Sequence, residues 1–275
     1  MKFALIDGDR REPQPGLSGQ CPGCHAPVIA RCGEIKVWHW AHKGKKPCDP
    51  WWEPETEWHR SWKGLFPVEW QEVPLRAASG ELHIADVRTP TGLVLEFQHS
   101  AIKPDERRSR ESFYGNMLWI VDGSRLLRDR PRVDAEVWGW RRSTEGNITQ
   151  LSFPEWALPK AWVECDVPVL FDFDGLTRQE DFREEREPPS VMRPAEWWNS
   201  RRATPDPLFC LLPKRFRSNA VWFTIRRETL PKIATGENKL QDWQEAHRQL
   251  EARHPIKPEP RRRNRHWLRS GDWRF

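Results

Sequence analysis

Metal-binding side chains are crowded into the first fifty residues of this chain. Four of its six cysteines lie between Cys21 and Cys48, while Cys165 and Cys210 stand alone. A disulfide framework is a poor explanation for this clustering in a chain of 275 residues whose first residues do not resemble a signal peptide. Reduced thiolates that share a metal ion explain it better. We therefore predict a small, hairpin-rich, zinc-ribbon-like module over residues 1–50.

The spacing of the ligands within this segment is that of a structural zinc site. Cys21 and Cys24 form a CxxC pair, and after fourteen intervening residues His39 and His42 form an HxxH pair. Two thiolates and two imidazoles complete the tetrahedral shell of Zn²⁺ and leave no position open for a substrate. The predicted zinc is therefore structural. Other residues compete for a place in that shell, first Cys48 and then, more weakly, Cys32 and His25.

Hydrophobic periodicity predicts a domain of mixed secondary structure over residues 51–130. In chain order the pattern predicts a helix over 51–66, strands over 67–76, 81–88 and 92–98, a helix over 104–114, and a strand over 117–121. Residues 131–256 are predicted to form a mixed or irregular C-terminal region with a helix over 238–253. The predicted fold class is α+β with an α/β core: a mixed sheet flanked by helices, preceded by the zinc module.

Carboxylates within these predicted strands indicate a second metal site. Asp86 ends the strand LHIADV, and Glu96 and Gln98 lie two residues apart on one side of the strand that follows. Burying two carboxylates among Val, Leu and Phe is costly unless a cation compensates their charge. Oxygen ligands of this kind suit Mg²⁺ or Mn²⁺, which can polarise a phosphate and activate water.

The first predicted helix adds polar side chains to this candidate site. Glu55, His59 and Lys63 are spaced by four residues, which places them in one stripe on one helix face. On its own, such a pattern commonly indicates only charge pairs on an exposed helix face. Its position directly before the acidic strands favours a catalytic role for all three residues.

The ordered set of motifs resembles the CoiA-like competence proteins over roughly residues 18–123. The motifs are CPGC, HWAH, Glu55-x3-His59-x3-Lys63, IADV, LEFQHS, Arg110-x3-Tyr114 and MLWIV. The resemblance implies a zinc-binding segment joined to a nuclease-like domain of the PD-(D/E)xK, restriction-endonuclease-like superfamily. It further implies that Asp86 and Glu96 bind the catalytic metal and that Glu55 is the acid of the first helix.

Gln98 occupies the position of the lysine in that superfamily signature. A glutamine can orient an attacking water by hydrogen bonding, but it cannot take up a proton at neutral pH. Lys63 would then supply the missing positive charge. The family resemblance includes this glutamine, so the site is expected to be active.

The positive charge of the chain is concentrated at one end. Residues 257–275 contain seven basic and two acidic side chains, an excess that equals the whole net charge of +5. With Trp267 and Trp273 interleaved, this arm is typical of a segment that binds phosphates and stacks on bases. The predicted nucleic-acid-binding residues are Arg261, Arg262, Arg263, Arg265 and Arg269.

The sequence therefore predicts a metal-dependent nuclease that acts on DNA, in DNA uptake, recombination or defence against foreign DNA. Two alternatives remain open: a non-catalytic nucleic-acid-binding protein, and an adaptor subunit that binds protein partners through its C-terminal region. No apolar stretch approaches the roughly 20 residues of a membrane helix, and the N-terminal apolar run is too short for a signal peptide. We expect a cytoplasmic protein with no membrane partner.

Overall fold

The fold combines two β-sheets with five α-helices within the residues that the computed structural model describes. Those residues are 1–44, 48–125, 132–133, 143–145, 148–152, 154–173, 208–240 and 242–253. This architecture confirms the predicted mixed α+β class. The predicted basic arm, residues 257–275, lies outside the described residues. Within the described ranges, no helix has the length and apolar character needed to cross a membrane.

The first sheet contains five short strands in the order β2-β1-β3-β4-β5, and all its pairings are antiparallel. The strands are β1 (Ala4–Ile6), β2 (Asp9–Arg11), β3 (Ser18–Gln20), β4 (Pro27–Arg31) and β5 (His39–His42). The buried core consists of Met1, Ala4, Cys21, Val28 and Trp40. A unit with so small a core typically needs a further cross-link such as a bound metal ion.

The second sheet contains nine strands in the order β10-β11-β14-β13-β12-β9-β8-β7-β6. The strands are β6 (Gln71–Arg76), β7 (Leu82–Arg88), β8 (Val94–Gln98), β9 (Met117–Asp122), β10 (Ser143–Glu145), β11 (Ile148–Leu151), β12 (Val169–Asp172), β13 (Leu208–Phe216) and β14 (Asn219–Ile225). Strand β9 pairs in parallel with β8 and with β12, and the other pairings are antiparallel.

Helices and loops cover both faces of the nine-stranded sheet. The helices are α1 (Glu57–Lys63), α2 (Pro104–Tyr114), α3 (Pro154–Ala157), α4 (Thr229–Thr235) and α5 (Trp243–Arg253). Apolar side chains of α1, α4 and α5 share one buried cluster with Phe97 and Ile120 of the sheet. The opposite face packs against the segment from α3 to β12. Strand β8 is therefore buried along its whole length.

Helix α1 is shorter than the predicted helix over residues 51–66. It begins after Thr56, whose hydroxyl accepts a hydrogen bond from the backbone of His59, while the His59 ring accepts one from the Thr56 backbone. Pro54 disfavours helical geometry at the preceding residue, so the chain is extended before this cap. Helix α2, in contrast, has the predicted bounds, since Pro104 begins it and Gly115, at φ 66°, ends it.

The nine-stranded sheet continues past residue 130, where the prediction ended the nuclease-like domain. All six residues of β9 are buried, and this strand lies between β8 and β12. Strand β12 falls within the run AWVECDVPVLFDF, which is one of the strand-like runs of the C-terminal region. The two predicted regions thus share one sheet.

Candidate functional site

Strands β7 and β8 separate at the position of the predicted acidic site. Their ladder includes Val87↔Leu95 and Arg88↔Val94. Beyond these pairs, towards Asp86 and Glu96, backbone N–H groups donate to side-chain carboxylates of the neighbouring strand. The Asp86 backbone N–H donates to Glu96 Oε1 at 3.2 Å, and the Phe97 N–H donates to Asp86 Oδ2 at 3.0 Å. The two predicted carboxylates therefore lie together in an opening between strands.

Both carboxylates resist ionisation in this opening. Burial, followed by the neighbouring Asp86 carboxylate, raises the pKa of Glu96 to about 8, although Arg110 opposes the shift. Burial also raises the pKa of Asp86, against the influence of Lys63. Glu96 accepts from the Arg110 guanidinium at 3.3 Å. Two carboxylates that ionise with difficulty mark a position where an additional cation would be stabilising.

Lys63 lies beneath the opening, surrounded by three carboxylates. Its Nζ is 2.6 Å from Glu55, 3.1 Å from Glu72 and 3.6 Å from Asp86, and only 3% of its side chain is exposed. Burial alone would lower the pKa of this amine, but the three acids raise it above the usual range. Lys63 is therefore a fixed positive charge beside Asp86 and cannot act as a general base at neutral pH.

The predicted stripe of Glu55, His59 and Lys63 exists only in part. Glu55 lies before α1 begins, so it is not on the helix face that the four-residue spacing predicted. Its carboxylate nevertheless contacts Lys63 and the Arg60 guanidinium. His59 is directed elsewhere, with Nε2 at 2.7 Å from Glu53. Glu55 and Lys63 thus lie with Asp86, whereas His59 belongs to a neighbouring network.

Glu53 is the centre of that network, although no motif in the sequence marks it as functional. Its carboxylate accepts from His59 at 2.7 Å, from the Gln98 amide at 3.0 Å and from the Ser100 hydroxyl. Burial opposes ionisation, but these hydrogen bonds, led by that from His59, lower the pKa of Glu53 to about 2. The only local signal was an acid directly before Pro54, in a segment predicted to be helical.

Glu72 and Arg110 also belong to the site without having been predicted as functional. Glu72 is buried at φ 47° and accepts from the backbone N–H groups of Lys2 and Phe3 as well as from Lys63. Burial opposes ionisation, yet Lys63 lowers the pKa of Glu72 to about 2. Glu72 lies in a strand with no motif of its own, and Arg110 was noted only as part of the Arg110-x3-Tyr114 motif, so the packing of the elements was needed to show that both reach the site.

A cleft above the opening gives a ligand access to these groups. Its walls come from the segment 49–55, from α1 and from strands β7 and β8. Asp86 retains 26% exposure of its side chain, whereas Glu96 retains 5%. Asp86 is therefore the acid that faces the cleft, and Trp52, which is 45% exposed, lies at its edge.

The zinc module brings four ligand atoms together, from Cys21, Cys24, His42 and Cys48. These atoms lie within 4.8 Å of one another. The sulfur atoms of Cys21 and Cys48 are 3.7 Å apart, and Cys24 Sγ is 3.3 Å from His42 Nε2. In a tetrahedral site with Zn–S bonds of about 2.3 Å, adjacent ligand atoms are about 3.5–3.8 Å apart. This Cys₃His group could therefore hold a structural zinc ion.

Cys48 takes the position that the spacing assigned first to His39. His39 and His42 lie three residues apart on β5, and an odd separation along a strand directs side chains to opposite faces. His39 instead hydrogen-bonds through Nδ1 to the carbonyl of Val37 at 2.8 Å. The predicted ligands Cys21, Cys24 and His42 are members of the group, and Cys48 replaces His39.

The zinc module is joined to the acidic site by the residue after Cys48. Asp49 Oδ2 accepts from the Ile84 backbone N–H at 2.8 Å, and Asp49 Oδ1 is 2.8 Å from His83 Nδ1. Both partners lie on β7, close to Asp86 on the same strand. The loop that carries a zinc ligand therefore also holds the strand that carries an acid of the candidate site.

Comparison with protein families matches residues 19–50 to the family described as Competence protein CoiA, N-terminal domain. The matched segment contains all four residues of the Cys₃His group. This match confirms the predicted resemblance to CoiA proteins for the N-terminal segment. Comparisons with curated proteins and with solved structures gave no significant match.

Proposed function

We propose that this protein is a metal-dependent nuclease that hydrolyses phosphodiester bonds in DNA. The observation that carries the proposal is the opening between β7 and β8, where Asp86 and Glu96 lie together beside Lys63, with Gln98 two residues after Glu96 on β8. A shared carboxylate site next to a fixed cation and a neutral hydrogen-bonding group has the composition needed for phosphate hydrolysis.

The donor set fits a hard divalent cation. Asp86 and Glu96 offer carboxylate oxygens, and burial raises the pKa of both, with the neighbouring Asp86 carboxylate raising that of Glu96 further. Mg²⁺ binds few protein carboxylates and retains water, which leaves room for phosphate oxygens. When bound, such an ion polarises the scissile phosphate and lowers the pKa of a bound water.

The residues of the chain would divide the remaining tasks between them. Lys63 places positive charge beside Asp86, where charge develops on the phosphate, and Glu55 and Glu72 keep the lysine protonated. Gln98 extends from the same strand and on the same side as Glu96, about 7 Å further along. In the proposed reaction it would orient the attacking water, and it cannot remove the proton from that water.

The order of elements supports this proposal. Helix α1, three antiparallel strands β6–β8, helix α2 and the parallel strand β9 follow one another, with the acids on the second and third strands. The motifs on which the resemblance rests follow the same order along the chain, and the resemblance implies a mixed sheet flanked by helices. The sheet then adds β12, β13, β14, β11 and β10 beyond β9, which makes this protein larger than the predicted core.

The choice of DNA as substrate rests on sequence. The matched family takes its name from a competence protein, which supports a role in DNA uptake for this chain. The excess of positive charge in residues 257–275 provides contacts for phosphates. Exposed Trp52 beside the cleft offers a surface on which a base can stack.

A cleavage assay with active-site variants tests the proposal. Purified protein is incubated with plasmid, single-stranded and branched DNA, with and without Mg²⁺ or Mn²⁺. We expect Asp86→Asn and Glu96→Gln to lower the cleavage rate by more than the roughly 10–100-fold that loss of a supporting residue costs. DNA binding should persist, because removing an acid reduces repulsion of the phosphates.

Glu57→Gln is the matched control, since Glu57 is exposed on the same helix that carries Lys63. It should cleave at the parental rate. Binding of DNA without metal-dependent cleavage by the parent protein would favour the non-catalytic binding protein instead. Cleavage by Asp86→Asn at the parental rate would show that the active site lies elsewhere.

A further inference from the structure

A buried acceptor without a donor lies at the end of β8. The side chain of Gln98 is 3% exposed, and its Nε2 donates to Glu53 Oε2 at 3.0 Å and to the Ser100 carbonyl and hydroxyl at 3.2 Å each. Its Oε1 is buried and has no hydrogen-bond partner among the residues that the structure describes. An unpaired buried acceptor is costly, so this oxygen needs a donor that is not part of the described chain.

The chemistry of the partners determines which way the Gln98 amide faces. The backbone carbonyl of Ser100 can only accept a hydrogen bond, and the Glu53 carboxylate likewise offers acceptors. The amide group that faces them must therefore be the NH₂ group, and the carbonyl oxygen must point the other way. The orientation of the amide is assigned from its hydrogen-bond partners, because the nitrogen and oxygen of an amide have nearly the same shape.

Glu53 is itself held by two separate parts of the fold. Its Oε1 accepts from His59 Nε2 on α1 at 2.7 Å and from the His99 backbone N–H at 3.2 Å. Its Oε2 accepts from the Ser100 backbone N–H at 3.3 Å. The carboxylate thus joins the first turns of α1 to the residues that follow β8, and it has little freedom to move away from Gln98.

We propose that Glu53 is a positioning residue that fixes the Gln98 amide so that its Oε1 accepts a hydrogen bond from the attacking water. This inference rests on the proposed nuclease function. In the reaction the water oxygen bonds to phosphorus and the water gives up a proton to solvent, while the bond from phosphorus to the leaving oxygen breaks and that oxygen takes up a proton from solvent. Gln98 only orients the water by a hydrogen bond, because an amide is not a base at neutral pH.

Glu53→Gln tests this role with a change that preserves size and removes one of the obligatory acceptors. The amide introduced by this substitution can turn its NH₂ group toward Gln98, so only Ser100 then holds the Gln98 amide in its orientation. We expect kcat to fall about 10–100-fold, the range for a residue that orients another group. KM and the Kd for DNA should stay unchanged, because neither group is required for substrate binding.

A double variant separates positioning from general structural support. If Glu53 acts through Gln98, Glu53→Gln combined with Gln98→Ala should be no slower than Gln98→Ala alone. Rates that fall multiplicatively would overturn the proposal. Glu57→Gln again serves as the isosteric control and should match the parent protein in kcat, in KM and in thermal unfolding.

Nuclear magnetic resonance of the glutamine side chains provides a readout that does not depend on catalysis. The Gln98 NH₂ signals in protein labelled with ¹⁵N-glutamine are assigned by their loss in Gln98→Ala. In the parent protein they should exchange slowly with solvent, and their shifts should change in Glu53→Gln but not in Glu57→Gln. Gln98 signals that exchange as fast as those of exposed glutamines would overturn the proposal, even if Glu53→Gln failed to fold.

The two hypotheses fail in different ways. Cleavage that is lost in Asp86→Asn but proceeds at the parental rate in Glu53→Gln overturns the positioning role and leaves the nuclease function intact. Cleavage that is insensitive to both Asp86→Asn and Glu96→Gln overturns the nuclease assignment itself, and the role of Glu53 with it.

Discussion

Single residues at the ends of the parallel strands are tied to one another by charged hydrogen bonds. His99, directly after β8, places Nδ1 at 2.7 Å from Asp122 Oδ2 at the end of β9. This hydrogen bond raises the pKa of His99 against the effect of burial. Burial opposes ionisation of Asp122, but the same bond lowers its pKa. The pair therefore links two strands that lie beside the candidate site.

The stability that this pair contributes should depend on pH. The contribution of His99 is complete below its unfolded pKa, about 6.5, and is lost as pH rises through the higher folded value. The contribution of Asp122 is lost only in acid, below about pH 4. Asp122→Asn should therefore lower the free energy of unfolding by about 1 kcal/mol more at pH 5.5 than at pH 8.5.

Urea unfolding at the two pH values measures this difference. Ser124→Ala is the control, because Ser124 donates to Asp122 through its hydroxyl and does not titrate in this range. An equal loss of stability at both pH values would mean that His99 and Asp122 are not coupled in solution.

At the scale of elements, strand β5 decides which residues can share a metal ion. Its alternation separates His39 from His42, and the loop after β5 brings Cys48 back to within 3.7 Å of Cys21. The CxxC pair contributes its ligands from the loop between β3 and β4. One strand and two loops thus supply the four ligands of the candidate zinc site.

Two substitutions distinguish the Cys₃His group from the HxxH alternative. Cys48→Ser should lose most of the bound zinc and destabilise the small sheet, because a structural site relies on all four ligands. His39→Ala should retain about one zinc ion per chain. Elemental analysis of protein purified without chelator measures both. Loss of zinc in His39→Ala with retention in Cys48→Ser would reverse the assignment.

On the scale of the whole molecule, the parallel pairing of β9 with β12 makes the C-terminal half part of the core. Side chains of β12, β13 and β14 fill both buried clusters together with those of β8 and β9. Removing that half would expose the edge of β9 and one side of both clusters.

A protein truncated after residue 130 should therefore fail to fold cooperatively. We expect it to lack a sharp thermal transition and to aggregate, since a buried apolar strand becomes an edge. Calorimetry and light scattering of the truncated and full chains provide the comparison. A cooperative transition in the truncated protein would show that residues 51–130 form an independent domain.

The net charge of the molecule resides in its last nineteen residues. Deleting 257–275 should weaken DNA binding and reduce the slope of log K against log salt by up to about 0.9 for each basic residue that contacts a phosphate of duplex DNA. Titrations at several salt concentrations measure the slope. An unchanged slope would mean that Arg261 and its neighbours do not contact DNA.

Local signals in the sequence were sufficient for the parts of the fold that local chemistry controls. Pro104 and Gly115 set the limits of α2, and the apolar runs around Glu96 and in 117–121 predicted β8 and β9, because caps and burial patterns act over a few residues. The CxxC pair likewise indicated the zinc module. Asp86 and Glu96 were identified as a pair since both interrupt apolar strands.

Only the tertiary structure decided which distant side chains meet. Cys48 rather than His39 completes the Cys₃His group, because strand alternation and a loop return set that geometry. Glu53 reaches Gln98 because an extended segment before α1 folds back over the end of β8, and Glu72 reaches Lys63 through the packing of β6 beneath α1. Such contacts depend on the positions of whole elements, which no local pattern of residues encodes.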